Sequence, residues 1–438
     1  MKTFKKKTTN WTRSIFVNPK INIPKSKNEI IKFISKENNM IVYGNGRSYG
    51  DVCLNKKNLI ILKNFKKIKT FNKKKGILNA EAGIFLSEII EVITKKGWFV
   101  PVTPGTKFLT LGGMVANNIH GKNLKYNYFI DHIISFQIIT LKGKIKTCSS
   151  NINSKLYYAT IGGLGLTGII TSVKFKLKKI KSTYVTQKKI FSDDINYLST
   201  DLNKYKKYKY IYIWLNSFKK NNMIKNIIFL GNHKNSGGFE YKIKQRRINL
   251  FYKIIFSFLN NRIFYRFTTH GYFVLNKIFY KKTTHLDNFF YAQDKYLDWN
   301  KLYGKKGFFQ FQILLPKNKI LKFLDKFYLF CDKNKVYANL IVAKPQMKKR
   351  KFLNFYGTGV SLSFDFKFSK KSSYIKKFFL DNAINFGYIF NFSKDMFAKT
   401  NHLSNYTEYD LFRKTVKKFN RNKTFNSLLS NRLKLIND

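Results

Sequence analysis

Residues 43–51 read YGNGRSYGD, and residues 104–106 and 111–123 read PGT and LGGMVANNIHGKN. Each of these two glycine-rich segments follows a short apolar run that predicts a β-strand. Dense glycine lets a backbone approach a ligand closely, and successive free N–H groups can cradle a phosphate. Two such loops in one chain therefore suit a ligand that carries two phosphates and a flat ring system.

The composition bounds the class of protein. A chain of 438 residues with 44% hydrophobic residues predicts two domains with sizeable cores. Its formal net charge is +62. A strongly positive net charge is typical of proteins that bind nucleic acid or anionic membranes. The basic residues are mostly lysines spread along the chain. AT-rich codons explain this bias. Arginine, which nucleic-acid interfaces favour, is scarce. We therefore expect no nucleic-acid partner, whereas peripheral contact with an anionic membrane stays open.

Cysteines and apolar segments indicate the compartment. Cys53, Cys148 and Cys331 lie far apart without metal-ligand spacing, and so low a count is typical of a reducing compartment. The basic first ten residues lack the apolar region of a cleaved signal, and no stretch reaches the ~18 apolar residues that span a bilayer. We expect a cytoplasmic protein without a bound metal, free or attached peripherally to the inner face of the membrane.

Hydrophobic periodicity predicts an α+β fold. Residues 28–125 alternate between strand and helix patterns, and apolar residues of 85–96 recur at the three- and four-residue spacing of an amphipathic helix. Residues 130–178 alternate apolar and polar side chains, as antiparallel strands do. Residues 190–390 predict more strands, with helices such as 318–330 between them. The clearest of these strands are 208–215, 307–315 and 361–368.

Residues 250–280 combine many aromatic residues with lysine and arginine. One interpretation is a core helix with solvated charges. The other is a mobile lid or membrane-facing flap over a substrate site, since a basic amphipathic segment suits a lipid interface. The sequence leaves both open.

The two glycine-rich loops resemble the flavin-cradling loops of FAD-linked oxidases of the vanillyl-alcohol oxidase type. Within that superfamily, GRSYGD and IHGKN are similar to the oxidase subunits of decaprenylphosphoryl-β-D-ribose 2′-epimerases. The motif order continues through GGLGLTG, QFQ and SKD at residues 162–168, 310–312 and 393–395. The resemblance implies a two-domain FAD-binding (PCMH-type) fold with an antiparallel-sheet substrate domain. The implied parts are an FAD-binding domain 1–178, a substrate domain 179–390 and a C-terminal return 391–438.

The resemblance implies FAD as the cofactor. The positions that match the family's FAD contacts are Gly44, Asn45, Gly46, Arg47, Ser48, Tyr49, Pro104, Gly105, Thr106, Gly112, Gly113, Asn117, Asn118, Ile119, His120, Lys122, Gly165, Gly168 and Ile170. Many relatives attach the flavin through a histidine of the first loop. Because this loop has none, we expect FAD to be held non-covalently. Arg47 either adds charge for the pyrophosphate or forms a buried structural pair.

Three residues match the family's reaction site. Lys394, in SKD, matches an active-site lysine, and His120 and Tyr49 lie in the two flavin loops. Oxidation of an alcohol needs an acceptor for the hydroxyl proton. Lys394 could serve as that base if burial lowers its pKa, or stay charged and bind a phosphate or a developing alkoxide. The sequence does not choose between these roles.

Candidate substrate residues come from the second half of the chain. Gln310 and Gln312 alternate on one predicted strand, so they share a face on which two amides could bind sugar hydroxyls. A solvated strand face is the alternative. By position in the resembled family, the other candidates are Trp214, Tyr291, Lys344, Ser363 and Asp365. Ser363 stands where family members can carry a cysteine, so no thiol chemistry is expected there.

Taken together, the motifs predict an FAD-dependent oxidoreductase acting on CH–OH groups. The leading hypothesis is oxidation at C2′ of a polyprenyl-phosphoryl pentose, ribose to a 2-keto intermediate. A separate NAD(P)H-dependent short-chain reductase would complete an epimerisation for cell-envelope arabinose or polysaccharide synthesis. The runner-up is a soluble aldono-lactone or alditol oxidase. A third hypothesis, a basic nucleic-acid or membrane-binding module that has lost catalysis, conflicts with the intact loops, His120 and Lys394.

Overall fold

The computed structural model describes residues 1–124, 128–200, 202–221, 223–241, 245–248, 261–347, 352–355 and 357–436. The helices are α1 Lys27–Lys36, α2 Leu86–Thr94, α3 Leu111–Ala116, α4 Ser154–Thr160, α5 Arg262–Ile278, α6 Leu286–Phe290, α7 Ile320–Asn334, α8 Ser372–Phe386, α9 Tyr409–Phe419 and α10 Leu428–Arg432. The strands are β1 Lys2–Lys5, β2 Thr8–Thr9, β3 Phe16–Val17, β4 Lys20–Ile23, β5 Met40–Val42, β6 Asn58–Ile60, β7 Ile68–Asn72, β8 Ile77–Glu81, β9 Trp98–Phe99, β10 Ile133–Ile139, β11 Ile145–Cys148, β12 Ile169–Lys176, β13 Lys178–Lys179, β14 Tyr184–Ser192, β15 Tyr210–Leu215, β16 Asn226–His233, β17 Arg246–Arg247, β18 Thr283–His285, β19 Tyr296–Leu297, β20 Phe308–Leu315, β21 Leu340–Met347, β22 Thr358–Lys367 and β23 Ile389–Phe390.

Two sheets lie in the part of the chain that carries the glycine-rich loops. In the first, of order β1-β4-β6-β5, strands β4, β6 and β5 run parallel and β1 antiparallel. The second is antiparallel, of order β11-β10-β12-β8-β7. Parallel strands are covered on both faces, and β5 and β6 are accordingly almost wholly buried, whereas β8 alternates buried and half-buried residues. The first glycine-rich loop follows β5 directly.

Helix α2 packs an apolar stripe into the core between the two loops. Leu86, Ile89 and Ile93 are buried, at the spacing that the sequence predicts. The helix begins one residue later than predicted, because the Glu88 carboxylate accepts a hydrogen bond from the Phe85 N–H at 2.9 Å and makes Phe85 the cap.

An eight-stranded antiparallel sheet of order β18-β14-β16-β15-β21-β22-β20-β23 dominates the second half. Helices α7 and α8 cover one face, where Phe311 stacks on Phe379 of α8 with ring centroids 4.3 Å apart. Side chains alternate across a strand, so Gln310 and Gln312 point to the other face. The α+β prediction, with an antiparallel sheet following the loops, is confirmed.

The C-terminal segment completes the sheet that holds the first loop. Met40 of β5 forms a parallel bridge to Phe425. The Met40 N–H donates to the Thr424 carbonyl at 2.8 Å, and the Asn426 N–H donates to the Met40 carbonyl at 2.9 Å. Two segments from opposite ends of the chain therefore lie side by side at the first loop.

Helix α5 lies on the surface of the eight-stranded sheet. Of its 17 residues, Tyr265 and Thr269 are the buried ones. The core-helix interpretation of residues 250–280 is therefore wrong for residues 261–280, and residues 250–260 lie outside the described part of the chain. The reason is the position of its apolar side chains, which point both toward the sheet and away from it.

Candidate functional site

One cavity of about 1040 Å³ lies between the glycine-rich loops and the open face of the eight-stranded sheet. From the predicted cofactor set, its wall contains Gly44, Asn45, Gly46, Arg47, Ser48, Tyr49, Pro104, Gly105, Thr106, Gly112, Gly113, Asn117, Ile119, His120, Lys122, Gly165, Gly168 and Ile170. From the predicted reaction and substrate sets, it contains Trp214, Gln310, Gln312, Lys344, Ser363 and Lys394. Motifs spread over the whole chain therefore face one space.

A glycine lets the first loop touch the SKD motif. The Tyr49 N–H donates to the Ser393 carbonyl at 2.9 Å. A Cβ on Gly50 would overlap the Asp395 carbonyl oxygen, so a residue with a side chain would push the two segments apart. This contact holds Lys394 beside the first loop.

Arg432 of α10 joins the same two motifs. Its guanidinium donates to both carboxylate oxygens of Asp51, each at 2.9 Å, and Nη2 lies 3.1 Å from Oδ2 of Asp395. Asp51 and Asp395 are 4% and 2% exposed, so the planar, bidentate arginine neutralises two buried carboxylates. Sequence reasoning missed this arginine because no local signal pairs it with residues 381 and 37 positions away.

The surroundings of Lys394 favour a neutral amine. Burial lowers the pKa of Lys394 to about 7, with a further lowering by Lys344, although Asp365 acts in the opposite direction. Asp365 is itself 1% exposed and accepts a hydrogen bond from the Gln310 amide. Burial raises the pKa of Asp365 to about 6. An amine with a pKa near 7 is partly deprotonated at neutral pH, so Lys394 can accept a proton there.

His120 lies between two glutamines. Its Nε2 is 3.2 Å from the Gln312 amide nitrogen, and its Nδ1 is 3.4 Å from the Gln346 amide nitrogen. The Gln312 carbonyl oxygen accepts from Asn391 at 2.8 Å, which orients that amide toward the imidazole. Burial, together with Lys344, lowers the pKa of His120 well below its ordinary value. The imidazole is therefore neutral and acts as a hydrogen-bonding group rather than a cation.

Lys122 is held by backbone and rings. Its Nζ donates to the Phe289 carbonyl at 2.5 Å and lies 3.9 Å from the centroid of the Tyr212 ring. Burial lowers the pKa of Lys122 well below its ordinary value, and Lys344 adds to the effect. These contacts fasten the second loop to α6 and β15, while the side chain still faces the cavity.

Three predicted site residues lie behind the cavity wall. The Asn118 side chain bonds Asn354 at 2.9 Å, and the Tyr291 hydroxyl bonds Thr103. Asp365 acts on the site through Gln310. Their side chains support the wall and do not form it.

Arg47 stacks on an aromatic ring. Its guanidinium carbon lies 3.8 Å from the centroid of the Trp11 ring, a cation–π contact. Its Nε is buried and has no hydrogen-bond partner among the described residues. The stacking orients Arg47 along the cavity wall.

Lys107 anchors the second loop from outside the cavity. Its Nζ pairs with Asp287 at 2.5 Å, and its backbone N–H donates to Asp294 at 2.7 Å. Lys107 is 2% exposed, which is unusual for a lysine unless it is paired. In a chain with 84 lysines and arginines, no sequence signal distinguishes this residue.

An aromatic arm extends the cavity beneath α5. We use this name for the wall formed by Tyr212, Trp214, Phe229, Tyr265 and Tyr272. Tyr212 stacks on Phe229 with centroids 4.5 Å apart, and Trp214 meets Tyr272 at 4.9 Å. Of the five, sequence reasoning found Trp214 alone, because the others are aromatic residues in a chain that is 17% aromatic.

The two glycine-rich loops form a cradle in which some polar groups have no protein partner among the described residues. The Asn117 Oδ1 atom is buried without a hydrogen-bond partner among the described residues. A Cβ on Gly105 would meet no protein atom within 4 Å, so the loop backbone is bare toward the cavity. Buried acceptors and bare backbone of this kind fit a bound cofactor that supplies hydrogen-bond donors and phosphates.

Comparison with known proteins identifies the cofactor. Residues 21–149 match the family of FAD binding domains. These residues form an FAD-binding domain. The match spans the first glycine-rich loop, the second loop and the strands that carry them. It confirms FAD as the cofactor and the predicted FAD-binding fold.

Relatives of the FAD-binding domain extend the similarity. The decaprenylphosphoryl-beta-D-ribose oxidase of Mycolicibacterium smegmatis is 25% identical over 304 residues, which are 65% of this chain and 65% of that protein. The L-gulonolactone oxidase of Scyliorhinus torazame is 25% identical over 146 residues, 33% of each chain. Cytokinin dehydrogenase 3 of Arabidopsis thaliana is 43% identical over 72 residues, 16% of this chain and 14% of that protein. The predicted resemblance to FAD-linked oxidases is confirmed.

Proposed function

We propose that this chain is an FAD-dependent oxidoreductase that oxidises the C2′ hydroxyl of a polyprenyl-phosphoryl pentose to a ketone. The observation that carries the proposal is the single cavity that joins the FAD-binding loops, Lys394 and the aromatic arm. A cofactor, a proton acceptor and an apolar surface can therefore contact one bound substrate. The similarity to a protein named decaprenylphosphoryl-beta-D-ribose oxidase supports the same substrate class.

The charge of the cavity supports an anionic substrate. Burial is the largest cause of the lowered pKa values of His120, Lys122 and Lys394, and the positive charge of Lys344 lowers all three further. Asp365 is the carboxylate that acts on Lys394 in the opposite sense. A phosphate bound beside Lys344 would reduce this repulsion and form charge-assisted hydrogen bonds. We assign Lys344 to the substrate phosphate.

The aromatic arm supports a substrate with an apolar part. Trp214 is buried at 8% exposure although it faces the cavity, and its ring meets the Tyr272 ring at an interplanar angle of 53°. Aromatic rings around an empty space favour hydrocarbon because its burial removes apolar surface from water. The first isoprene units of a polyprenyl chain would fit this chemistry.

The reaction needs a hydride acceptor and a proton acceptor. FAD bound in the cradle supplies the hydride acceptor for the carbinol carbon. Neutral Lys394 takes the hydroxyl proton, since its pKa of about 7 allows it to be unprotonated before the reaction. Gln310 and Gln312 hold the sugar hydroxyls, and neutral His120 accepts or donates one further hydrogen bond. Tyr49 positions Lys394 through its ring.

FAD is non-covalently held in this proposal. Backbone groups of the first and second loops bind its phosphates, and no histidine lies in the first loop to attach it. Acid precipitation would then release the flavin into the supernatant. A yellow pellet would contradict this part of the proposal.

The ketone product calls for a second enzyme. Reduction of the ketone from the opposite face gives the epimeric alcohol. The partner we propose is a separate NAD(P)H-dependent short-chain reductase, within cell-envelope polysaccharide synthesis. The contact would be functional, through the shared intermediate.

A lactone or alditol oxidase is the second candidate. The similarity to L-gulonolactone oxidase and to a putative D-arabinono-1,4-lactone oxidase favours it, and both matches cover about a third of this chain, 33% and 35%. Neutral lactones would leave the ammonium of Lys344 and the aromatic arm without a partner. We therefore rank it below the lipid-phosphate substrate.

Turnover with matched substrates separates the two candidates. The FAD-loaded protein is assayed with a polyprenyl-phosphoryl ribose and with L-gulono-1,4-lactone, using an artificial electron acceptor. The proposal predicts a kcat/KM at least about a hundredfold higher for the phosphorylated lipid, as expected when a buried cation loses its partner with the lactone. A preference for the lactone would overturn it.

A further inference from the structure

Helix α5 carries a row of large apolar side chains that face water. The exposed fractions are 69% for Ile263, 71% for Phe267, 54% for Leu275, 66% for Ile278 and 70% for Phe279. A Cβ on Gly271, between them, would meet nothing within 4 Å. Exposed large apolar residues are ordinary when scattered, but a contiguous row marks an interaction surface.

The row occupies one side of the helix. At 3.6 residues per turn, Ile263, Phe267, Val274 and Ile278 fall on the same side. We call this side the outer face, and we include Leu275 at its edge and the exposed Phe279 that caps the helix C-terminus. Helix α5 has 17 residues and, at ~1.5 Å per residue, is roughly 25 Å long.

The opposite side of α5 is fixed to the protein. The Tyr265 hydroxyl donates to the Asn339 carbonyl, and Tyr272 packs on Trp214. Asn276 accepts a hydrogen bond from Lys189 at 2.9 Å. The residues on this side form part of the aromatic arm, so α5 separates the cavity from the outer face. None of these contacts uses an outer-face side chain.

Basic residues line the edge of the outer face. Arg266 and Lys277 are exposed and lie on one flank of the apolar row, and Lys281 and Lys282 follow the helix, also exposed. A helix with an apolar face and a basic flank suits the interface of an anionic bilayer, where each lysine or arginine near the surface adds electrostatic attraction. The chain's net charge of +62 acts in the same direction. No helix in the described ranges has the length and apolar content to cross a bilayer, so contact would be peripheral.

We propose that the outer face of α5 docks on an anionic lipid bilayer and brings the aromatic arm to the lipid interface. Docking would let a polyprenyl chain pass from the bilayer to the cavity with little exposure to water. The lipid-anchored substrate in this inference rests on the proposed function, whereas the docking surface itself does not.

Vesicle flotation of the FAD-loaded full chain tests the docking. The vesicles contain phosphatidylcholine with phosphatidylglycerol in about a three-to-one ratio, or phosphatidylcholine alone. The test variant is Phe267→Ser/Ile278→Ser, which changes two exposed side chains of the outer face. The matched control is Leu411→Ser, because Leu411 is 54% exposed on α9, a helix that packs against α4.

We expect the wild type to float with the anionic vesicles and to bind those of phosphatidylcholine at least about tenfold more weakly. The double variant should lose at least about tenfold in binding to anionic vesicles, and Leu411→Ser should match the wild type. No flotation of the wild type, or equal flotation of the double variant, would overturn the proposal. A change of oligomeric state in the double variant without a change in flotation would also overturn the proposal. The outer face would then bind a second copy of the chain.

An activity assay keeps this inference separate from the proposed function. Vesicle binding without oxidation of any phosphorylated lipid would leave the docking surface intact and refute the proposed substrate. Oxidation of a short, water-soluble prenyl-phosphoryl ribose at equal rates by the wild type and the double variant is expected. Equal rates on vesicle-embedded substrate as well would contradict docking as the route of entry.

Discussion

The ammonium nitrogen of Lys394 lies 3.3 Å from the centroid of the Tyr49 ring. These residues come from motifs at opposite ends of the chain, GRSYGD and SKD, and the close approach at Gly50 allows the contact. A face-on aromatic ring stabilises the charged amine, whereas burial favours the neutral one. Burial, opposed by Asp365, leaves Lys394 with a pKa of about 7, in the range that general-base chemistry needs.

The pH dependence of turnover tests Lys394 as the base. The amine must be neutral to accept the proton, so kcat/KM should be low below its pKa of about 7, rise through it and level off above it. Lys394→Arg, which stays charged, should lose about 10²–10⁴-fold in kcat while binding flavin normally. The control variant Lys370→Ala changes an exposed lysine, so its kcat and pH profile should match those of the wild type. A pH-independent rate or an active Lys394→Arg enzyme would refute the assignment.

Replacing Tyr49 separates its ring from its hydroxyl. Tyr49→Phe keeps the cation–π contact and should retain the pH profile. Tyr49→Leu removes the ring that favours the charged amine, so the midpoint of the profile should move to lower pH by about half a unit to one unit. If Tyr49→Phe abolishes turnover instead, the hydroxyl takes part in the reaction.

Arg432 should be essential for stability. Arg432→Gln leaves Asp51 and Asp395 buried without a counter-charge, and loss of one partner from a buried pair costs about 3–5 kcal/mol, less here because the arginine side chain is 24% exposed. Thermal unfolding followed by flavin fluorescence should show a lower Tm. Exposed Arg421→Gln is the control and should unfold as the wild type does. An unchanged Tm for Arg432→Gln would mean that the buried carboxylates are protonated.

Lys344 should contribute to substrate affinity rather than to the chemical step. Lys344→Gln removes the proposed phosphate ligand, so KM for the phosphorylated substrate should rise about tenfold to a hundredfold, with kcat on the high-pH plateau nearly unchanged. Loss of the nearby cation should also raise the pKa of Lys394, moving the pH profile to higher pH. A fall in kcat with unchanged KM would give Lys344 a role in catalysis.

The sequence predicted much of the fold and one side of the site. Glycine spacing located the FAD loops, and apolar periodicity predicted α2 and β20 within a residue or two at their ends. Glycine spacing and apolar periodicity depend on residues that are close together in the chain, so they can be recognised without knowing the tertiary structure. Asn391 and Gln346, which flank Gln312 and His120, could not be found because they approach only when distant strands pair.

Helix α5 shows a different limit. Apolar residues lie on two sides of this helix, one facing the aromatic arm and one facing water. Periodicity alone therefore fits a core helix as well as a lid. The choice depends on what packs against each side. Tyr291 shows the same limit, since its family position suggested the cavity, yet its hydroxyl bonds Thr103 behind the wall.

An anaerobic visible spectrum of the purified, FAD-loaded protein shows whether the flavin oxidises a polyprenyl-phosphoryl pentose. Polyprenyl-phosphoryl ribose is added without an electron acceptor, and the flavin absorbance is followed. We expect the flavin bands to bleach at a rate that matches turnover, and not to bleach with Lys394→Arg. Flavin bands that persist with this substrate but bleach with L-gulono-1,4-lactone would contradict it.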